Sequence, residues 1–242
     1  MLSHVDLCSG IGGFALGFQW AGLSKPVLFC DIEPWSRKVL AKHWPDVPIA
    51  EDVKELANDP DGLIPRTDPK RTILTAGYPC QPFSHAGKRL GHEDDRHIWP
   101  YLLQIVAQKR PAWCCFENVY GHVSMGLDQV LFDLEGQGYA SRTFIVPACA
   151  VDAPHRRDRV FVIAKDVSDT DSPRCEEQRR SQPAQEKHQA PQCRSGWLTE
   201  PPVGRVAHGI PKRVDRLRGL GNAIVPQIAQ KIGQAIKASI DA

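Results

Sequence analysis

From residue 4 to residue 164, short runs rich in β-branched and aromatic residues alternate with segments of helical period. That alternation is how a parallel sheet covered by helices reads. The runs are HVDLC (4–8), VLFC (27–30), TILTA (72–76), AWCCF (112–116), SRTFIVPA (141–148) and RVFVIA (159–164). Helical spacing occupies 13–22, 34–43, the region around 52–58, 97–109 and 122–137. Residues 149 to 158 are too few for a crossover helix, so the last two strands are expected to pair antiparallel at a sheet edge. The expected fold is a Rossmann-like α/β sheet with helices on both faces.

The chain has 242 residues with 30 basic and 28 acidic side chains, an ordinary globular balance of net charge +2. No run approaches the length of a membrane span, and Met1–Ser3 leads straight into a strand-like run, so a cytoplasmic protein without membrane association is expected. The eight cysteines fit this, since Cys8, Cys30, Cys114, Cys115 and Cys149 lie in or beside apolar runs, where a thiol behaves as a small hydrophobe. No CxxC pair occurs, and no metal site is expected. Residues 168–196 contain no Val, Ile, Leu, Met, Phe, Trp or Tyr and are expected to form a mobile loop. A cationic stretch over 205–218 follows, and 226–240 returns to helical period with Pro226 in the first turn.

Four motifs and two aspartates carry chemistry. DLCSGIGGF (6–14) puts Gly10, Gly12 and Gly13 in a turn between a strand and a helix, where free amides and close approach favour a bound ligand. Asp31 and Asp52 close the next two strand-like pieces, placed to take a ribose and an adenine; helix capping is the plain alternative for both. GYPCQPFS (77–84) follows an apolar strand, so Cys80 is expected at the ligand-binding edge of the sheet, stiffened by Pro79 and Pro82, as a nucleophile requires. In FENV (116–119), Glu117 ends the next strand at the same edge, where partial burial favours a proton-donating carboxyl. In PHRRDR (154–159), Arg157 and Arg159 stand at strand spacing and are expected to share a face.

Together these residues resemble the cytosine-5 DNA methyltransferases, over roughly 1–165 and 217–242 and in that family's order. Asp6, Leu7, Cys8, Ser9, Gly10, Gly12 and Gly13 look like the family's cofactor loop, Gly77–Gln81 its catalytic loop, Glu117-Asn118-Val119 its Glu-Asn-Val, and Arg157-x-Arg159 its paired arginines. Gly221-Asn222-Ala223-Ile224-Val225-Pro226 looks like the segment that returns to complete the cofactor pocket.

The resemblance implies a class I methyltransferase sheet that uses S-adenosyl-L-methionine and acts on a cytosine flipped out of double-stranded DNA. Cys80, Glu117, Arg157 and Arg159 would be catalytic. The loop Asp6–Gly13 with Asp31, Ile32, Asp52, Val53, Pro79, Trp99, Asn222 and Ala223 would bind the cofactor. Gln81, Ser84, Lys88, Arg89, Arg96 and Asn118 would bind the substrate. It further implies action as a monomer and a cognate restriction endonuclease as partner.

The sequence departs from the family pattern at His155, where Gln is usual, and at Ala223, where Ser is usual. Residues 166–216 would be a short, partly disordered target-recognition region. A tRNA-directed relative is the main alternative, but the Cys-Phe-Thr tripeptide of that branch does not occur. A catalytically impaired binding protein is opposed by the intact Cys80, Glu117 and Arg159, and a dinucleotide oxidoreductase by the lack of a third glycine at Rossmann spacing.

Overall fold

The computed structural model describes residues 1–79, 98–153, 155–168 and 223–241. Among these, seven strands form one sheet: β1 (Leu2–Leu7), β2 (Ser24–Cys30), β3 (Ile49–Ala50), β4 (Thr72–Gly77), β5 (Trp113–Val119), β6 (Tyr139–Pro147) and β7 (Asp158–Asp166). Their order is β3-β2-β1-β4-β5-β7-β6. The first five are parallel, and β7 enters antiparallel between β5 and β6. This is the antiparallel pair expected from the short connection, with β6 outermost. Burial explains the order: β7 carries a buried Val160-Phe161-Val162, whereas β6 exposes Phe144 and Ile145.

Seven helices are described: α1 (Gly13–Trp20), α2 (Pro34–His43), α3 (Val53–Asn58), α4 (Pro60–Leu63), α5 (Trp99–Lys109), α6 (Leu127–Gly136) and α7 (Pro226–Asp241). Alternate strand residues feed two cores, as pleating requires. On one face Val5, Leu7, Leu74, Phe116 and Val162 pack against Leu56, Leu102, Ile105, Val130 and Leu134 from α3, α5 and α6. On the other, Leu2, Ile73, Cys115 and Phe161 meet Phe14 and Phe18 of α1 and Ile228, Ile232 and Ile236 of α7. The spacing of four in that last set makes one apolar stripe. Glycines let α1 and α7 approach closely: a Cβ on Gly233 would stand 2.9 Å from the Cβ of Ala21, and one on Gly17 would run into the Pro226 carbonyl.

Three local features differ from the sequence reading. The stretch 122–137 is not one helix but a 3-10 turn, Tyr120–Ser124, followed by α6. The third strand shrinks to two residues. Most consequentially, β5 does not stop at Phe116. Its pairing with β7 continues through Glu117↔Phe161, Asn118↔Val160 and Val119↔Arg159, so Glu117 lies within the sheet. The expected recognition region lies outside the described residues beyond Ser168. Among the described residues no helix is long and apolar enough to cross a membrane.

Candidate active site

From β1 the chain turns to β2 on one side, and from β4 to β5 on the other, so the crevice between the carboxyl ends of β1 and β4 is the switch point where open α/β sheets bind ligands. Both chemistry-bearing loops leave from it.

The turn after β1 uses left-handed backbone at Cys8 (φ 49°), Gly10 (φ 55°) and Gly12 (φ 84°). Ser9 Oγ ties it down by donating to the Asp6 carbonyl at 2.5 Å and accepting from the Cys30 amide at 3.2 Å. The three glycines serve different ends. A Cβ on Gly10 would meet nothing within 4 Å, so this glycine faces open space. A Cβ on Gly12 would stand 2.6 Å from the Trp44 ring, and one on Gly13 would stand 2.5 Å from the Ile224 carbonyl oxygen. Gly12→Ala is therefore expected to cost roughly 2–4 kcal/mol, from left-handed strain plus overpacking, against about 1 kcal/mol for Gly10→Ala. Thermal denaturation of the two variants checks this; a Gly12→Ala melting point equal to that of the unsubstituted protein would contradict it.

Asp31, at the end of β2, accepts from the Gly10 amide through Oδ2 (2.7 Å) and from the Glu33 amide through Oδ1 (2.9 Å). Burial raises its carboxyl above the ordinary range while those amide bonds oppose the rise. The Ser36 side chain also bonds to this carboxyl, and of its four lone-pair positions one is left for a further donor. Ile32, beside it, is 69% exposed. Asp52 caps α3, its Oδ1 accepting from the Lys54 amide at 2.9 Å, and Val53 and Leu7 are buried in the core. Trp99 donates from Nε1 to Asp133 Oδ2 (2.8 Å) and packs its ring against Tyr78 and Phe116.

Under the crevice lies a buried polar chain that neither periodicity nor motif announces. Thr75 of β4 donates to Asp6 Oδ1 of β1 at 2.5 Å, and His4 Nε2 sits 2.7 Å from the same hydroxyl. Burial pushes the Asp6 carboxyl up to about 8, against the Thr75 bond, and pushes the His4 ring down to about 3.

At the other side of the crevice, Glu117 is aligned between Gly77 and Phe161 and is 8% exposed. Its Oε1 accepts from Arg159 Nε at 2.9 Å. Burial pushes its carboxyl up to about 7, the cations of Arg159 and Arg157 opposing. Arg157 reaches this neighbourhood by a route other than the one its spacing implied. It precedes β7 and turns through a left-handed backbone (φ 38°), so strand alternation does not place it; its Nη2 donates to the Ala223 carbonyl at 2.9 Å. Asn118 donates from Nδ2 to the Tyr78 carbonyl (3.3 Å), while the Tyr78 hydroxyl lies 3.0 Å from His122 Nε2. Tyr78 is thereby held at both ends, immediately before the exposed Pro79. Cys80, Gln81, Ser84, Lys88, Arg89, Arg96 and Asn222 lie outside the described residues.

The strand order, the glycine turn after β1 and the buried carboxylate of β5 define an α/β methyltransferase fold. Residues 2–197 match the model of the C-5 cytosine-specific DNA methylases, and the chain belongs to that family. Among similar proteins, the type II methyltransferase M2.BsuMI of Bacillus subtilis is 34% identical over 172 residues, covering 66% of this chain and 41% of that protein. The type II methyltransferase M.NgoBI of Neisseria gonorrhoeae is 31% identical over 168 residues, covering 67% and 50%. The chain thus spans half or less of the length of these relatives. The solved S. pombe Dnmt2 methyltransferase shares the fold with a TM-score of 0.59 at 22% identity, over 77% of this chain and 57% of that one.

Proposed function

We propose that the chain is a DNA cytosine-5 methyltransferase, transferring a methyl group from S-adenosyl-L-methionine to carbon 5 of a cytosine flipped out of double-stranded DNA. The observation that carries this reading is Glu117: a buried carboxyl near 7, bonded to Arg159 and aligned with Gly77, the last residue of the strand that leads to Tyr78, Pro79 and Cys80. The donor fits the other side of the crevice. Gly10 leaves open space beside the turn, Asp31 presents a carboxylate to a ribose, and Ile32 offers an apolar face to a base. When bound there, the donor supplies an electrophilic methyl group.

The chemistry asked of the protein follows from cytosine itself, whose carbon 5 is too delocalised to attack that methyl. The Cys80 thiolate adds to carbon 6 while Glu117 gives its proton to ring nitrogen 3, making carbon 5 the nucleophilic end of an enamine. After carbon 5 has gained the methyl, a base takes its proton, the carbon–sulfur bond breaks and nitrogen 3 returns its proton. Arg159 keeps Glu117 oriented and presents a donor to the base. Flipping costs roughly a few kcal/mol, offset by pocket and phosphate contacts, for which Gln81, Ser84, Lys88, Arg89, Arg96 and Asn118 are the assigned residues. Residues 166–216 are assigned to target recognition. A monomeric, cytoplasmic enzyme with a cognate restriction endonuclease completes the reading.

DNA carrying 5-fluorocytosine tests it, because fluorine does not leave as a proton does. A covalent protein–DNA complex, shifted on a denaturing gel and dependent on the donor, is expected. Protein that methylates ordinary DNA yet forms no such adduct would sink the covalent route.

A further inference from the structure

The residues that lead into α7 are wedged into the site rather than merely adjacent to it. The Ile224 carbonyl occupies the space that a Cβ on Gly13 would need, 2.5 Å away, at the first turn of α1. The Ile224 side chain reaches the end of β4, its Cδ1 lying 3.2 Å from where a Cβ on Gly77 would be, and that same point is 3.5 Å from Glu117 Oε2. Ile224 therefore bridges the first turn of α1 and the end of β4, beside the carboxyl of β5. The Ala223 carbonyl precedes α7, and the hydrogen bond it accepts comes from Arg157, 66 residues away in sequence. Arg157 makes that bond from a left-handed backbone, a conformation a non-glycine residue keeps only when its surroundings hold it there.

We infer that Arg157 is a positioning residue for the methyl donor: its guanidinium pins the Ala223 carbonyl, and through it holds Ile224 against Gly13 and Gly77, closing the wall between donor pocket and nucleobase pocket. This rests on the donor reading given above. It differs from the role that the paired-arginine resemblance implies, in which Arg157 helps to position the catalytic loop or the phosphate backbone. The two arginines of the turn then divide the work. Both cations act on the ionisation of the β5 carboxyl, but Arg159 is bonded to it and Arg157 is bonded to the segment opposite.

The test uses the full chain and S-adenosyl-homocysteine as probe, with calorimetry for its Kd, steady-state kinetics for the donor, and DNA binding across a salt series. Arg157→Ala is expected to weaken the probe about tenfold and to raise the donor KM by a similar factor, the scale of one lost charged hydrogen bond. At pH 6, below the Glu117 ionisation near 7 that the Arg157 cation helps to lower, kcat with saturating donor is expected to fall by less than the donor KM rises, and the salt slope of DNA binding is unchanged. A purely structural residue would lower the melting temperature without that split between KM and kcat. Arg157→Gly removes the same guanidinium while relieving the left-handed backbone, so it is expected to lose the same affinity with a melting temperature at or above that of Arg157→Ala. An unchanged probe Kd in Arg157→Gly overturns the inference; a salt slope shallower by about one would then mark Arg157 as a phosphate contact. If the unsubstituted protein does not bind S-adenosyl-homocysteine, the donor reading itself fails and takes the inference with it.

Discussion

Replacing Cys80 by serine is expected to abolish methyl transfer to DNA, by a factor on the order of 10³ or more, while S-adenosyl-homocysteine binds within a few fold of its affinity for the unsubstituted protein. The two side chains are nearly the same size, so the change is chemical. A thiol ionises near 8.5 and its thiolate is a strong nucleophile, whereas a serine hydroxyl stays protonated without a dedicated base. Because carbon 5 becomes reactive only after addition at carbon 6, losing the adduct removes the whole route rather than slowing one step. In the proposed reading donor affinity rests on the glycine turn and Asp31, so it is expected to be largely spared. Transfer of labelled methyl and formation of the 5-fluorocytosine adduct should vanish together. Surviving transfer in Cys80→Ser would remove Cys80 from the nucleophile's role.

Glu117→Gln is expected to lower kcat/KM by roughly 10²–10⁴, the range for a lost general acid, and to change the shape of its pH profile. Glutamine keeps the length of the side chain and an acceptor for Arg159, but has no proton to give. The sign follows from the carboxyl lying near 7 rather than at its ordinary value of 4.5. Below about 7 most molecules hold the proton that ring nitrogen 3 needs, and above it they progressively do not. The unsubstituted enzyme should therefore lose activity as pH rises beyond 7, while the requirement for a Cys80 thiolate suppresses activity at low pH. In Glu117→Gln the alkaline fall should disappear and the acid limb remain. An alkaline limb that persists unchanged would assign that ionisation to another group.

The parts of this site that were legible in the sequence are those governed by local rules. Gly10 and Gly12 stand between an apolar run and a helical one, and both need the left-handed backbone that glycine adopts freely. The antiparallel pairing of the last two strands followed from a connection too short to cross over. Glu117 was recognisable as a carboxylate closing an apolar run, yet its position inside the ladder was not, because β7, which extends the pairing, begins some forty residues later. For the same reason Trp44 against Gly12, His4 and Thr75 around Asp6, and Tyr78 against His122 had no signature. Each is a single residue in an unremarkable run, completed by a partner from another element.

Alternating period, turn chemistry and motif order were enough to define an α/β methyltransferase sheet, its family and the residue types at its carboxyl edge, since those depend on neighbours a few positions away. Register and packing decided the rest. They buried Glu117 beside Arg159, turned Arg157 out of the strand toward Ala223, and set protein atoms where two of the three turn glycines would carry a Cβ. The reason is that a side chain's protonation and partners depend on what lies within a few ångströms of it in space, and in this mixed sheet those neighbours come from strands far apart along the chain.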